Sequence, residues 1–442
     1  MGGKGGEVAV KSVRTPWGNS GELRSQIRRM GRASVPEETE RKQIERLFAA
    51  MVALSSAHGY EETTVDAISK LAGVSKGSFY EHFANKEELL LAAVEALIEP
   101  TLKVIERAED APTGEARVRQ AVEAFLGLIA DQPAASQMGF IEVYAAGPRG
   151  EATVDRAIDV FEKFGVSQLN QIPDRKGMPP QIVRALVGGF LKVIQKRLYS
   201  GEADQLPRLA EDIADWGLSY PSPPGPLQGP RRRGRKPRPF AERQVVANPP
   251  ERVLRALAAL VAEKGYAETT VADVIKRAGT SYRVFYGHFE DKRAAFLAAL
   301  DSGAAQMLAS VLPAFRRAEG WPQSVRAAYE SMFAFGIEEP EYTRLGAVEM
   351  YTGGWRALEA RDAVMEGLEA LLMPGYEMAP DVPGIAAEAI GGAIYALIHN
   401  QVKRKGPEYL PELAPTATYM TLAPFLGAEE AYERAIEDSE KW

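Results

Sequence analysis

Gly59-Tyr60-Glu61-Glu62-Thr63-Thr64-Val65-Asp66-Ala67-Ile68, followed by Ala72-Gly73-Val74-Ser75 and Phe79-Tyr80-Glu81-His82-Phe83, decides the fold because the chain repeats it. The block returns without a gap as Gly265-Tyr266-Ala267-Glu268-Thr269-Thr270-Val271-Ala272-Asp273-Val274, then Ala278-Gly279-Thr280-Ser281 and Phe285-Tyr286-Gly287-His288-Phe289. Gly59 and Gly265 set an offset of 206 residues. Solenoid repeats are much shorter, so this period means two whole copies of one domain pair. Looser matches continue past the block. Glu142-Val143-Tyr144-Ala145-Ala146-Gly147 pairs with Glu349-Met350-Tyr351-Thr352-Gly353-Gly354, and Leu186-Val187-Gly188-Gly189 with Ala389-Ile390-Gly391-Gly392. The whole unit is duplicated.

Each copy opens with an amphipathic helix. Ile44, Leu47, Phe48, Met51 and Leu54 share one face, and Leu254, Leu257, Leu260 and Val261 form the second stripe. A short helix follows, for which Thr63 with Asp66, and Thr270 with Asp273, suggest capping boxes built on the shorter acid. Ala72-Gly73-Val74 makes a tight turn with Gly73 free to take positive φ. Ser75 and Ser281 cap a second short helix, and Asn85 caps a longer one. Beyond each block the pattern is helical, with no convincing strand. The Gly188-Gly189 and Gly391-Gly392 pairs cost helix stability, which suits a close approach between helices.

Hydrophobic content of 45% and charge of 26% describe an ordinary globular chain. No apolar run reaches the about 18 residues that span a bilayer, and the Gly-rich, basic N-terminus does not read as a secretory signal. The chain has no cysteine, which excludes disulfides and thiolate chemistry. The expected compartment is the cytoplasm, with association to the nucleoid. The net charge of -7 hides two basic clusters, each just upstream of one copy. One is the arm with Lys4, Lys11, Arg14, Arg24, Arg28, Arg29 and Arg32; the other holds Arg231, Arg232, Arg233, Arg235, Lys236 and Arg238. Composition predicts disorder over residues 1–39. A Pro-rich linker from Tyr220 reads as extended and semi-rigid, with a reach of roughly 75 Å.

Two short helices joined by a glycine turn, behind a longer amphipathic helix, are the parts of a helix-turn-helix. Ser75-Lys76-Gly77-Ser78-Phe79-Tyr80-Glu81-His82-Phe83 with Asn85-Lys86-Glu87 resembles the DNA-binding signature of TetR-family transcription regulators. Thr63 to Ile68 is similar to the family's preceding helix. The resemblance implies an all-α protein of two tandem TetR-like units, each a three-helix DNA-binding head and a helical-bundle effector and dimerisation domain. The implied domains are 40–98 and 248–302 for the heads, 99–219 and 303–442 for the effector domains, and 220–247 for the linker and second arm.

It also implies the DNA-facing residues. In the first head these are Thr64, Ser75, Lys76, Gly77, Ser78 and Tyr80, with His82 near them and Lys86 on a phosphate. In the second they are Thr270, Ser281, Tyr282, Arg283, Val284, Tyr286 and His288, with Lys292 on the phosphate. Arginine can pair with guanine by two bonds and valine can touch a thymine methyl, so the heads should read different half-sites. The segment Arg231 to Arg238 is similar to an AT-hook, a form suited to narrow minor grooves.

The expected partners are a double-stranded DNA operator and a small apolar effector, with the two units pairing within one chain or two chains pairing as a homodimer; no membrane is expected. Candidate effector-contacting residues are Phe125, Phe140 and Tyr144 in the first copy and Tyr329, Phe333, Tyr351 and Trp355 in the second. No catalytic triad, phosphate loop, metal cluster or cofactor motif emerges, so an enzyme is not expected. The competing reading is a small-molecule sensor or protein-interaction module in which one or both heads no longer read DNA.

Overall fold

The computed structural model describes residues 12–23, 36–107, 111–227, 229 and 248–437. The first copy begins with α1 (Pro36–His58), α2 (Val65–Ala72), α3 (Lys76–His82) and α4 (Lys86–Glu106). Its helical domain adds α5 (Gly114–Asp131), α6 (Pro133–Phe140), α7 (Gly147–Leu169), α8 (Pro180–Tyr199) and α9 (Ala210–Leu218). The second copy repeats the head as α10 (Pro249–Glu268), α11 (Val271–Ala278), α12 (Tyr282–His288) and α13 (Lys292–Arg317). Behind it lie α14 (Trp321–Glu338), α15 (Pro340–Ala347), α16 (Trp355–Glu369), α17 (Met373–Met378), α18 (Ala386–Arg404), α19 (Ala414–Leu426) and α20 (Ala428–Ile436). Among the described residues the fold is all-α, as expected, apart from one short hairpin.

The chain divides into two compact units, and the division does not follow the copies. Unit 1 takes residues 1–110, 120–157 and 197–208; unit 2 takes 111–119, 158–196 and 209–442. Much of the first copy's helical domain, including most of α8, therefore belongs to the same compact body as the second copy.

Unit 1 contains the first head. Leu47, Met51, Ile68, Phe79 and Leu89 form its buried centre. The stripe on α1 thus packs on one residue from each of the other helices. Composition predicts a disordered arm over 1–39, yet residues 12–23 fold onto this head. Strand β1 (Arg14–Thr15) pairs antiparallel with β2 (Gly18–Asn19). Trp17 lies 4.9 Å from Phe48 between ring centroids, Leu23 is buried, and Arg14 pairs with Asp131 at 2.6 Å. A segment too polar for its own core can order in this way, because α1 supplies the apolar surface that its two large side chains cover.

Unit 2 holds the second head and a close helix contact between α8 and α18. A Cβ on Gly188 would collide with the Ala396 methyl, and one on Gly189 with the Ala389 carbonyl and the Trp216 ring. A Cβ on Gly392 would stand 3.0 Å from the Cα of Gly189 and 2.5 Å from the Cβ of Lys192. Gly188, Gly189 and Gly392 thus let two backbones meet where a side chain would part them. The linker also behaves differently from its composition. Tyr220 is fully buried, its hydroxyl donating to the Met420 carbonyl at 2.7 Å. Tyr419 and Thr416 donate in turn to the carbonyls of Pro221 and Leu227, at 2.9 and 3.0 Å. Residues 220–227 are therefore packed along α19, because a tyrosine and a leucine in the proline run find an apolar wall.

Candidate nucleic-acid interface and effector cavity

The turn of each head depends on one glycine. Gly73 (φ 62, ψ 38) and Gly279 (φ 58, ψ 45) take the left-handed conformation after α2 and α11. That conformation costs other residues roughly 1–2 kcal/mol. Ser75 then caps α3 by accepting from the Ser78 amide at 3.0 Å, and Ser281 caps α12 through Val284 at 3.4 Å. The preceding helices are capped unequally. Thr270 and Asp273 complete a capping box. In the first head Thr64 is the cap, accepting from Ala67 at 3.2 Å, and the box expected from Thr63 and Asp66 is not formed. Thr63 turns inward and donates to the Gly59 carbonyl at 2.9 Å, which frees Asp66 to pair with Lys76.

Phe79 and Phe285 anchor the second helices inward, and their neighbours project outward. On α3 the exposed face carries Ser75, Lys76, Gly77 and Tyr80, with Ser78 half-buried and Thr64 exposed on the adjoining α2 cap. Tyr80 is 57% exposed, unusual for so large a ring. On α12 the matching face presents Ser281, Tyr282, Arg283, Tyr286 and His288, with Val284 half-buried and Thr270 exposed at the cap of α11. Tyr282 and Tyr286 stack with centroids 6.3 Å apart and planes 13° from parallel. Lys76 meets Asp66 at 2.7 Å across the turn, which raises the lysine's pKa and lowers the aspartate's. Both groups are exposed, so the pair is weak and a phosphate can compete for the lysine. In the second head both partners are replaced together, by Tyr282 and Ala272.

Three expected contacts sit elsewhere. The Lys86 ammonium donates to the carbonyls of Tyr60, Glu61 and Thr63 at 3.0, 3.0 and 2.9 Å and stands 4.4 Å above the Tyr60 ring. All three of its protons are engaged inside the head, and burial holds its pKa down. Lys292 repeats the clamp on Tyr266 and Thr269, both at 2.9 Å, with the Tyr266 ring 4.1 Å away. These lysines, read from sequence as phosphate contacts, close the loop between the first two helices. His82 turns toward α1, within 3.3 Å of the Gln43 amide oxygen, whereas His288 is exposed. Arg231, Arg232, Arg233, Arg235 and Lys236 lie outside the described residues.

Glu142, quoted from sequence only as part of a repeated segment, accepts the Tyr60 amide at 3.0 Å and so ties the helical part of unit 1 to its head. Burial raises its pKa. Arg149, two residues past the same segment's end, pairs with Glu87 at 2.7 Å. The repetition of the segment beside the Gly-Tyr of each head was the available signal.

Unit 2 contains a cavity of about 240 Å³ between α13, α14, α15, α16 and α18. Its wall is mostly apolar, with Met307, Val311, Met350 and Ile394 among the lining residues. Helix α13, which supplies the first two, is long and apolar enough to cross a membrane by length and composition only. Tyr329 and Phe333 line the cavity and stack with centroids 6.0 Å apart. The Tyr329 hydroxyl shares a 2.6 Å hydrogen bond with Thr421, and burial pushes its pKa up to about 12, so it stays a neutral hydroxyl. Tyr351 and Trp355 are not in the wall. Tyr351 packs edge-on against Tyr395 and His399, and Trp355 is 44% exposed at the start of α16. In unit 1, Phe125 and Phe140 meet edge to face at 6.3 Å, and Tyr144 is buried.

The family model for bacterial regulatory proteins of the tetR family, in its N-terminal part, matches residues 47–93 and 253–299. The chain is 35% identical over 71 residues to YerO of Bacillus subtilis, described as an uncharacterized HTH-type transcriptional regulator, covering 16% of this chain and 25% of YerO. It is 32% identical over 102 residues to the HTH-type transcriptional activator FasR of Mycolicibacterium smegmatis, covering 23% and 47%. The chain thus spans between a quarter and about half the length of these curated relatives. Among solved structures, the fatty acid degradation regulator FadR from Bacillus halodurans is 17% identical with a TM-score of 0.37, covering 42% of this chain and 97% of that one. Each family match falls on one of the two helix-turn-helix heads, so the chain carries a match to the N-terminal domain of the tetR family of bacterial regulatory proteins twice.

Proposed function

We propose that the protein is a ligand-responsive repressor whose two copies pair within one chain, as a pseudo-dimer, and read an asymmetric operator. The observation that carries this reading is the contact of α8 with α18, where Gly188 and Gly189 of one copy meet Gly392 and Ala396 of the other without intervening side chains. Such a contact is what a symmetric pairing surface becomes when both halves lie on one polypeptide. Heads at 40–98 and 248–302 read DNA through the exposed faces of α3 and α12, and the helical remainders hold the effector and the pairing surface. Arg231 to Lys236 add a minor-groove arm. The protein works in the cytoplasm, on the nucleoid.

The cavity in unit 2 receives a small apolar effector. An effector changes operator affinity only through different affinities for two states of the protein. Selection of bound sequences from random duplex DNA by the full-length protein tests the reading. Enrichment of one site with unlike halves about a helical turn apart supports two working heads in one chain. A palindromic site, with sedimentation equilibrium giving a dimer of chains, overturns the pseudo-dimer. Failure to enrich any sequence would favour a sensor whose heads do not read DNA.

A further inference from the structure

The cavity is lined only by second-copy residues, yet two of its charged side chains are held from the first copy. Arg361 and Glu369 both lie on α16 and both line the wall. The Glu369 carboxylate meets the Lys192 ammonium at 2.7 Å. Arg361 donates through Nε to Asp362 at 2.7 Å, while both of its terminal nitrogens lie 3.3 Å from the Gln195 amide oxygen. Lys192 and Gln195 are three residues apart on α8, hence on one helical face, and are 2% and 4% exposed. Beside them Lys196 pairs with Glu366 at 2.5 Å.

A charge beside an apolar cavity is costly unless it is paired and hydrogen-bonded. Here both wall charges are already balanced by α8 and Asp362, so the ligand need bring none. The third charged lining residue, Asp301, is exposed. We infer that the cavity is a composite site, completed by Lys192 and Gln195 of the first copy as positioning residues, and that it takes a compact, uncharged apolar molecule. This rests on the reading of the cavity as the effector site and gives that site a chemistry. It also makes ligand binding and the seating of α8 on α18 one event, because the residues that hold the wall lie beside the glycine contact.

The test uses the full chain and two probes with one skeleton, neutral N-phenylnaphthylamine and its charged analogue anilinonaphthalene sulfonate, followed by fluorescence. The neutral probe binds and the sulfonate binds at least about tenfold more weakly; equal affinities overturn the assignment of ligand charge. Lys192→Met and Gln195→Leu, neither in the wall, each weaken the neutral probe by about tenfold, within the usual range of coupling between sites. The double exchange Lys192→Glu with Glu369→Lys restores most of the affinity, which separates pairing from misfolding. Ala360→Phe, which fills the cavity, abolishes binding. If Ala360→Phe abolishes binding while Lys192→Met and Gln195→Leu leave it unchanged, the composite site is overturned and the effector reading stands. If Ala360→Phe leaves binding intact, the probe lies elsewhere and both fall.

Discussion

The two heads agree at their buried phenylalanines, turn glycines and lysine clamps, and differ at several positions of the outward face. Phe79 and Phe285 are buried at matching positions, Gly73 and Gly279 make the same turn, and Lys86 and Lys292 reach back to the same carbonyl positions. On the outer face, an ion pair between Lys76 and Asp66 stands where the second head has Tyr282 and Ala272, with Tyr282 stacked on Tyr286. Interior positions are fixed by packing and by carbonyls that need a donor, so they tolerate little change. The exposed face of a recognition helix is bound by neither demand. Its differences are therefore free to encode what each head would read under the proposed function.

The interior half of that comparison breaks hardest at the glycine contact. Gly392→Val is expected to destabilise unit 2 by about 3 kcal/mol, because the added carbons meet backbone of α8, which cannot swing aside. Thermal denaturation should show it, with Gly391→Ala as the control: a Cβ there comes no nearer than 3.7 Å to Glu369 and Lys192 and 3.9 Å to Met365, ordinary contact distances. Equal losses from both would mean that α8 and α18 are not in the close contact described.

The clamps come next. Lys86→Met should cost the first head about 2 kcal/mol by leaving the part-buried carbonyls of Tyr60 and Thr63 and the exposed one of Glu61 without their donor, and Lys292→Met somewhat less because it makes two bonds. The same variants decide between clamp and phosphate contact. A clamp lowers the melting temperature and leaves the salt dependence of DNA binding unchanged in the folded protein, whereas a lost phosphate contact reduces the salt slope by about one.

Outward positions should behave the other way, altering recognition and leaving stability alone. Arg283→Ala is expected to weaken the preferred site by about 1–2 kcal/mol and to relax specificity at one base pair. Carrying the first head's face into the second, with Tyr282→Lys, Arg283→Gly, Val284→Ser and Ala272→Asp, should turn the selected site from asymmetric to palindromic. A site that stays asymmetric would mean that the difference between half-sites arises outside α12.

How far the sequence carried the reading follows from the range of the interactions involved. The heads were legible because cap, turn glycine and apolar stripe lie within a few residues of one another and occur twice. The clamp was not. A lysine at a helix start reads as an anion site, and its carbonyl partners, 23 to 26 residues upstream, leave no mark in the pattern. The hairpin at 12–23 was hidden for a similar reason. Trp17 and Leu23 show no periodicity, and the partners of the hairpin, Phe48 for Trp17 and Asp131 for Arg14, are distant in the chain. Cavity walls are equally non-local, so stacked Tyr329 and Phe333 were separable from Tyr351 and Trp355 only once the helices were placed.

The smallest expected effect concerns Glu142, where head and helical domain of unit 1 meet. Its carboxylate is partly buried and accepts the Tyr60 amide, and that burial raises its pKa above the ordinary value of 4.5. The folded state therefore holds this proton more tightly than the unfolded chain. Between the ordinary and the raised value, lowering the pH favours folding; the gain is complete below 4.5 and absent once the pH exceeds the folded value. Glu142→Gln keeps an oxygen acceptor for Tyr60 without burying a charge. It should stabilise unit 1 by under about 1 kcal/mol at neutral pH and remove this part of the pH dependence. Melting temperatures of both proteins from pH 4 to pH 8 would separate the cases, since a variant that melts lower at every pH would mean that the charge itself holds head and helical domain together.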